Sequence, residues 1–250
     1  MGGVTVLGVR VDVFTLPGLV DAVVRSARDS HRCTVFYANI HVLNTAYGDP
    51  DLRRILNQAD IVYCDGAGVR LGARLLGHRL PERMTGADWI EPLCAVCAEK
   101  GVSLYFLGAR SGVAAEAAAR LQARHPGLRI VGAHHGYLAD PAVCAGAIAA
   151  INAARPDILL VGMGTPLQEK WIAAHREELD VPVVWAVGAL FDFVAGVQPR
   201  GPRWMLDHGL EWLSRLISDP RRLWRRYILG NPLFILRVLR HRFTQYPIGD

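Results

Sequence analysis

In "ADIVYCDGAGVRLG" an apolar run ends on an acid, Asp65, and the chain then passes through Gly-Ala-Gly. A carboxylate so placed can cap the next helix or take a proton from a substrate. A free Asp has a pKa of about 3.9, so base work requires it to sit close to the proton it removes or to lose water. Three other strings share this form. "YANIHVLN" puts Asn39, then His41 and Asn44, after an apolar run, where Asn39 serves equally as a helix cap or as an amide facing a ligand. "YFLGARSG" ends a run on Gly108 and opens a helix at Gly112, a turn whose N–H groups suit a phosphate. It does not spell G-x-G-x-x-G, so a nicotinamide dinucleotide is not supported. "DILLVGMGTPLQEKW" ends on Gly162 and Gly164, with Thr165 in a capping position and Pro166 at the first helical position. Capping leaves Gln168, Glu169, Lys170 and Trp171 unexplained.

Such residues act together only if the ends of their runs converge. The runs "CTVFYAN", "DIVYCD", "VSLYFLG", "LRIVGAH", "DILLVGMG" and "PVVWAVGA" alternate with helical patterns such as "DLRRILNQA" and "GVAAEAAARLQARHP". They are apolar almost throughout, as strands are when helices cover both faces. This predicts an α/β domain over residues 1–195, with a mostly parallel, Rossmann-like sheet flanked by helices. In that architecture ligands bind beyond the carboxyl ends of the strands, where all four strings end. The opening "MGGVTVLGVRVDVF" has no basic stretch before an apolar core and reads as a first strand rather than a signal peptide. Residues 196–250 lose the β pattern and read as a basic amphipathic helical appendage.

The charge is as uneven as the pattern. Residues 1–200 hold 19 Lys+Arg and 19 Asp+Glu, while residues 201–250 hold 9 Arg and 4 Asp+Glu. The net +5 of the chain therefore belongs to its last fifth, and the partner of that end is expected to be anionic. A hydrophobic fraction of 51% excludes a disordered chain. The five scattered cysteines do not form a disulfide framework. Cys94 and Cys97 spell C-x-x-C, but inside an amphipathic helix and without a second pair, so they read as core. Asp49-Pro50-Asp51 spells Asp-x-Asp, yet Asp49 as cap and Pro50 at the first helical position account for it. His134 and His135 stand as an isolated pair. No bound metal is expected.

"SDPRRLWRRYILGNPLFILRVLRHRF" closes the chain. Its longest apolar run, "PLFIL", falls far short of the roughly 20 residues that cross a bilayer. The segment fits a helix pair at a membrane surface, with Leu223, Trp224, Tyr227, Ile228, Leu233, Phe234 and Leu236 toward lipid and arginines toward headgroups. The competing expectation is that its aromatic residues pack on the body of the protein. The basic end would also suit a nucleic-acid-binding α/β protein without catalytic activity, but no recognition motif accompanies it and the glycine-ended strands stay unexplained.

In order along the chain, "YANIHVLN", "ADIVYCDGAGVRLGARLLGHRLPERMTGADW", "FLGARSG", "PDILLVGMGTPLQEKW", "VGALFDFVAG" and "PRWMLDHGLEWLSRLISDPRRLWRRYI" resemble the WecG/TagA/CpsF family of bacterial glycosyltransferases, over about residues 8 to 230. The resemblance implies a Rossmann-like domain with a membrane-contacting C-terminal appendage. It implies inverting transfer of a hexose or N-acetylhexosamine from a UDP-sugar to a polyprenyl-diphosphate-linked sugar, in cell-surface polysaccharide or exopolysaccharide synthesis. No cofactor is expected, and no nucleic acid. The expected setting is peripheral, on the inner face of the cytoplasmic membrane; relatives assemble into oligomers, and a homo-oligomer is left open by the sequence. By position, Asp65 matches the family's proposed general base and Asn39 its active-site Asn. Arg83 and Gln168 match donor-site residues, and Arg215, Arg222 and Arg225 match functional arginines of the appendage. The glycine-ended turns at Gly108, Gly162 and Gly164, with Thr165, complete the expected substrate-binding set. Many members have Thr-x-Asn where this chain has Tyr37-Ala38-Asn39, so the donor sugar is not carried over. Without a metal, arginines are expected to neutralise the departing diphosphate.

Overall fold

The computed structural model describes residues 2–198, 201, 205 and 211–245. Eight strands, β1 (Gly3–Val6), β2 (Val9–Asp12), β3 (Cys33–Ala38), β4 (Ile61–Cys64), β5 (Ser103–Gly108), β6 (Arg129–His134), β7 (Ile158–Gly162) and β8 (Val183–Ala186), form one sheet in the order β1-β2-β4-β3-β8-β7-β5-β6. All pairings are parallel except β1 with β2. The expected parallel α/β sheet is therefore present, and all six expected runs are strands. The opening segment forms two strands rather than one. Leu7 and Gly8 both have positive φ, at 51° and 81°, the primed-turn geometry that closes a two-residue hairpin.

Helices α1 (Leu16–Arg28), α2 (Ile40–Gly48), α3 (Pro50–Gln58), α4 (Ala67–Leu75), α5 (Gly86–Lys100), α6 (Val113–Arg124), α7 (Pro141–Ala154) and α8 (Leu167–His175) connect the strands, and α9 (Leu190–Val194) follows the last one. β4, β5, β7 and β8 are buried along their full length, which is why they read as unbroken apolar runs. Asp49 caps α3, accepting from the Leu52 N–H at 3.0 Å. All five cysteines are free and buried, and burial pushes the Cys97 thiol up to about 12. The C-x-x-C thus sits in the core as expected.

Beyond α9 the described chain is helical: Glu211–Ser218, Pro220–Trp224, a π-type turn Arg225–Leu229, and Gly230–Gln245. No helix among the described residues is long and apolar enough to cross a membrane. The last helix lies on α2 and α4. Phe234 and Val238 are fully buried and join the same hydrophobic cluster as the sheet. A Cβ at Gly72 would come within 2.6 Å of the Phe234 ring, so α4 accepts this helix only because residue 72 has no side chain. Asn44 fastens the junction. Its amide donates to the Gly230 carbonyl at 2.7 Å, and its Oδ1 accepts from Arg237 at 2.9 Å. The Arg237 guanidinium also lies over the Tyr47 ring at 4.3 Å.

Candidate active site

The loops after β3, β4, β7 and β8 meet at the carboxyl edge of the sheet. β4 ends at Cys64, and the Asp65 N–H donates to the Ala38 carbonyl at 2.8 Å, so the ends of β3 and β4 remain paired. Gly66 follows at φ +95°, which turns the chain sharply into α4. Asn39 is a cap, and its amide also reaches the acid. Its Oδ1 caps α2 by accepting from the Val42 N–H at 3.0 Å, while its Nδ2 donates to Asp65 Oδ2 at 3.0 Å. The cap holds the amide rigid, and the amide holds the carboxylate.

Two cavities join at this pair. One, of about 440 Å³, lies between α4, Arg83, Thr85 and the C-terminal helices. The other, of about 320 Å³, lies over the ends of β3, β7 and β8 and contains Tyr37, Gly164, Thr165 and Phe193. Asn39, His41, Asp65, Arg215, Arg226 and Tyr227 line both. Two ligands side by side would therefore meet at Asp65.

The expected arginines divide. Arg215 lines both cavities, its guanidinium 4.6 Å from the Phe193 ring centre. Arg83 lines the larger cavity. The Arg222 side chain lies outside the described residues. Arg225 is exposed over the Trp224 ring and lines neither cavity; Arg226 lines both. The two are neighbours in the π-type turn and their side chains diverge, so that only Arg226 reaches the cavities. The spacing in the sequence carried this information. Arg226 stands three residues after Leu223 and one before Tyr227, both buried, whereas Arg225 stands on the opposite face. Arg226 Nε is buried without a partner among the described residues.

The string "GTPLQEKW" is accounted for residue by residue. Gln168 is 0% exposed and lines neither cavity. Its Nε2 donates to the Tyr37 hydroxyl at 3.1 Å and to Glu169 Oε1 at 2.8 Å. Its Oε1 accepts from the Gly188 N–H at 3.0 Å and the Gly164 N–H at 3.3 Å. Gln168 therefore ties β3 to the loops after β7 and β8 instead of presenting its amide to a cavity. Pro166 lies just before α8, and the Thr165 hydroxyl donates to Glu169 at 2.8 Å rather than capping. Lys170 pairs with Asp49 of the α3 cap at 2.6 Å, and Trp171 is buried, donating to Cys144 Sγ at 3.3 Å. Burial raises the Tyr37 hydroxyl to about 12, with the Glu169 charge acting the same way, so it is a neutral hydrogen-bonding group. Burial also raises Glu169.

Gly108 and Gly162 pair across β5 and β7, and a Cβ at Gly108 would come within 2.3 Å of the Gly162 carbonyl. Their role is close packing, and neither lines the two cavities. The turn at Gly108–Gly112, expected to suit a phosphate, is likewise not brought to them. His41, seen in the sequence but given no role, lines both. Burial, reinforced by the Arg226 charge, lowers its pKa to about 4, so it is neutral near pH 7. The positive charge at the junction of the cavities comes from Arg215 and Arg226. Leu223, Tyr227 and Phe234, expected toward lipid, turn inward, the first two onto the cavities. Among the described residues, no cluster of three or more His, Cys, Asp or Glu is arranged to hold a metal.

Fold and site together define an α/β enzyme that can hold two ligands against one carboxylate. The profile of the "Glycosyl transferase WecG/TagA/CpsF family" matches residues 4–247, and the chain belongs to that family. Among its relatives, an N-acetylglucosaminyldiphosphoundecaprenol N-acetyl-beta-D-mannosaminyltransferase of Bacillus subtilis is 32% identical over 212 residues, 84% of this chain and 81% of the relative. A protein of the same name from Bacillus spizizenii is 33% identical over 204 residues, 82% and 77%. One from Staphylococcus aureus is 28% identical over 239 residues, 94% and 91%. This chain is thus a glycosyltransferase, and the family match runs through its basic end.

Proposed function

We propose that the chain moves a hexose or N-acetylhexosamine, with inversion, from a UDP-sugar to a sugar carried on a polyprenyl diphosphate. The observation that carries this reading is the Asn39–Asp65 pair at the junction of the two cavities, faced by Arg215 and Arg226. Relatives named for a diphosphoundecaprenol-linked acceptor supply the substrate class. Asp65 takes the proton of the acceptor hydroxyl as its oxygen bonds to the anomeric carbon. The bond from that carbon to the UDP oxygen breaks, and UDP leaves with the electron pair. Attack from the face opposite UDP inverts the centre. Arg215 and Arg226 offset the charge growing on the diphosphate, since guanidinium groups stay charged and fit phosphate oxygens. Asn39 positions the base, and the buried Gln168 and Glu169 hold the loops around the donor.

The relatives transfer N-acetylmannosamine by name. Tyr37 replaces the hydroxyl of a small Thr with a phenol anchored by Gln168, so the donor sugar is left to experiment. Incubation with a panel of UDP-sugars and a defined lipid-diphosphate-sugar acceptor tests the reading. Transfer from one of them is expected, and no transfer from any would overturn it.

The outer face of the C-terminal helices supports a membrane-facing role. Trp224, Ile228, Leu229, Leu233, Leu236 and Phe243 are exposed there, with Arg221, Arg225, Arg240 and Arg242 beside them in the sequence. This face would rest on an anionic surface while Phe234 holds the opposite face to the body. Replacing Leu229 and Leu236 by Glu should abolish sedimentation with anionic liposomes; unchanged sedimentation would contradict it.

A further inference from the structure

A third cavity, of about 540 Å³, borders the larger of the two active-site cavities. Ala67 and Leu71 of α4 line both, so the two are continuous along one helix. The remaining wall is basic: Arg70 and Arg74 from α4, and His78 and Arg79 from the loop after it. No Asp or Glu lines it, and no side chain among the described residues pairs with the guanidinium groups of Arg70, Arg74 or Arg79. Arg70 and Arg74 stand four residues apart on one helical face, where like charges repel. Three guanidinium groups gathered without a carboxylate suit a phosphate-bearing ligand, which they can grip as forks. α4 also fixes the direction. Asp65 stands just ahead of its first turn, and Arg70 and Arg74 follow one and two turns along, at about 1.5 Å per residue. A ligand with its reacting hydroxyl at Asp65 and an anionic group further out would run along this face.

We propose that this basic pocket seats the diphosphate of the lipid-linked acceptor, with Arg70, Arg74 and Arg79 as its clamp. The assignment rests on the glycosyltransfer reading above. It also divides the cations by substrate: Arg215 and Arg226 face the departing nucleotide diphosphate, and the α4 arginines face the diphosphate that stays on the acceptor.

The test uses Arg70→Gln, Arg74→Gln and Arg79→Gln in the full chain, with a water-soluble, short-chain diphosphate-sugar acceptor so that no bilayer is involved. The expected result is a KM for that acceptor raised roughly tenfold for each arginine removed, with kcat and the donor KM unchanged. An alkyl glycoside of the same sugar, lacking phosphate, should react equally poorly with wild type and variants. Unchanged acceptor KM in all three variants overturns the proposal. So does unchanged KM together with lost binding to anionic vesicles, which would make the pocket a phospholipid-headgroup site. If wild type transfers no sugar at all, the glycosyltransfer reading fails instead. Calorimetry with inorganic pyrophosphate then decides the pocket: weaker binding by the Arg70→Gln/Arg74→Gln double variant supports an anion site, and equal binding removes it.

Discussion

The active-site cavities have two walls of different construction. The wall at the strand ends is fixed by main-chain pairing and by side chains sealed from water. Asp65 and Ala38 are joined through the backbone, Asn39 is locked by its capping bond, and Gln168 ties β3 to two loops while 0% exposed. The wall formed by the C-terminal helices is attached through side chains: Phe234 and Val238 pack against α4, Asn44 bonds Gly230 and Arg237, Arg237 lies over Tyr47, and Arg242 donates to the Leu75 carbonyl. The group that must be placed most accurately, the carboxylate, stands on the rigid wall. The cations, whose attraction falls off more gently with distance, stand on the second wall together with the exposed apolar face. Under the proposed function, such a division would let a lipid-carried substrate engage the helices without disturbing the base.

This contrast can be broken from either side. The largest effect is expected from Phe234→Ala, which empties a fully buried site and should cost about 3–5 kcal/mol. Denaturant titration would show it, and activity should fall with stability as the second wall loosens. Gln168→Leu comes next. It keeps the volume but leaves the Gly188 N–H without its partner, at about 1–3 kcal/mol. Its distinguishing sign is a raised KM for the donor with an unchanged KM for the acceptor. Exchange of neighbouring arginines sharpens the comparison further. Arg226→Gln should lower kcat roughly ten- to a hundredfold, and Arg225→Gln should stay within about twofold, measured under identical conditions. Equal losses would undo the assignment of Arg226 to the cavity.

The smallest effect at neutral pH belongs to His41. Its folded pKa of about 4 lies below the unfolded 6.5, so between those values the unfolded chain binds more protons. The contribution is fully present above pH 6.5 and is lost as pH falls toward 4, by no more than about 3 kcal/mol. His41→Gln should flatten that part of the acid limb in pH-dependent unfolding. Because Arg226 helps to lower the His41 pKa, Arg226→Gln should raise it in an NMR titration, whereas Arg225→Gln should not.

The sheet was legible because its strands are covered on both faces, and unbroken apolar runs record that directly. Asp65 and Asn39 were legible for a related reason: polar residues at strand ends have few places to go except the edge where ligands bind. Gln168 was found but given the wrong neighbours. A buried amide that accepts from two main-chain N–H groups looks, in sequence, like one that faces a ligand. Arg226 was missed in favour of Arg225, a difference of one residue in helical phase, because Leu223 and Tyr227, which mark the inward side, read as lipid-facing in the sequence. Gly108 and Gly162 show the same ambiguity, since a glycine needed for close strand packing is spelled like one that cradles phosphate. The set expected toward lipid divides by burial. Trp224, Ile228, Leu233 and Leu236 are exposed, but Phe234 is buried because Gly72, some 160 residues earlier, leaves room for it.

The most direct measurement follows sugar transfer by Asp65→Asn beside wild type, with UDP binding determined on the same samples. Asn keeps the size of the side chain and the main-chain pairing of β3 with β4 but cannot take the proton. The account predicts UDP binding unchanged and turnover reduced at least about a hundredfold. Turnover near wild type would remove Asp65 from the base role and contradict the account at its centre.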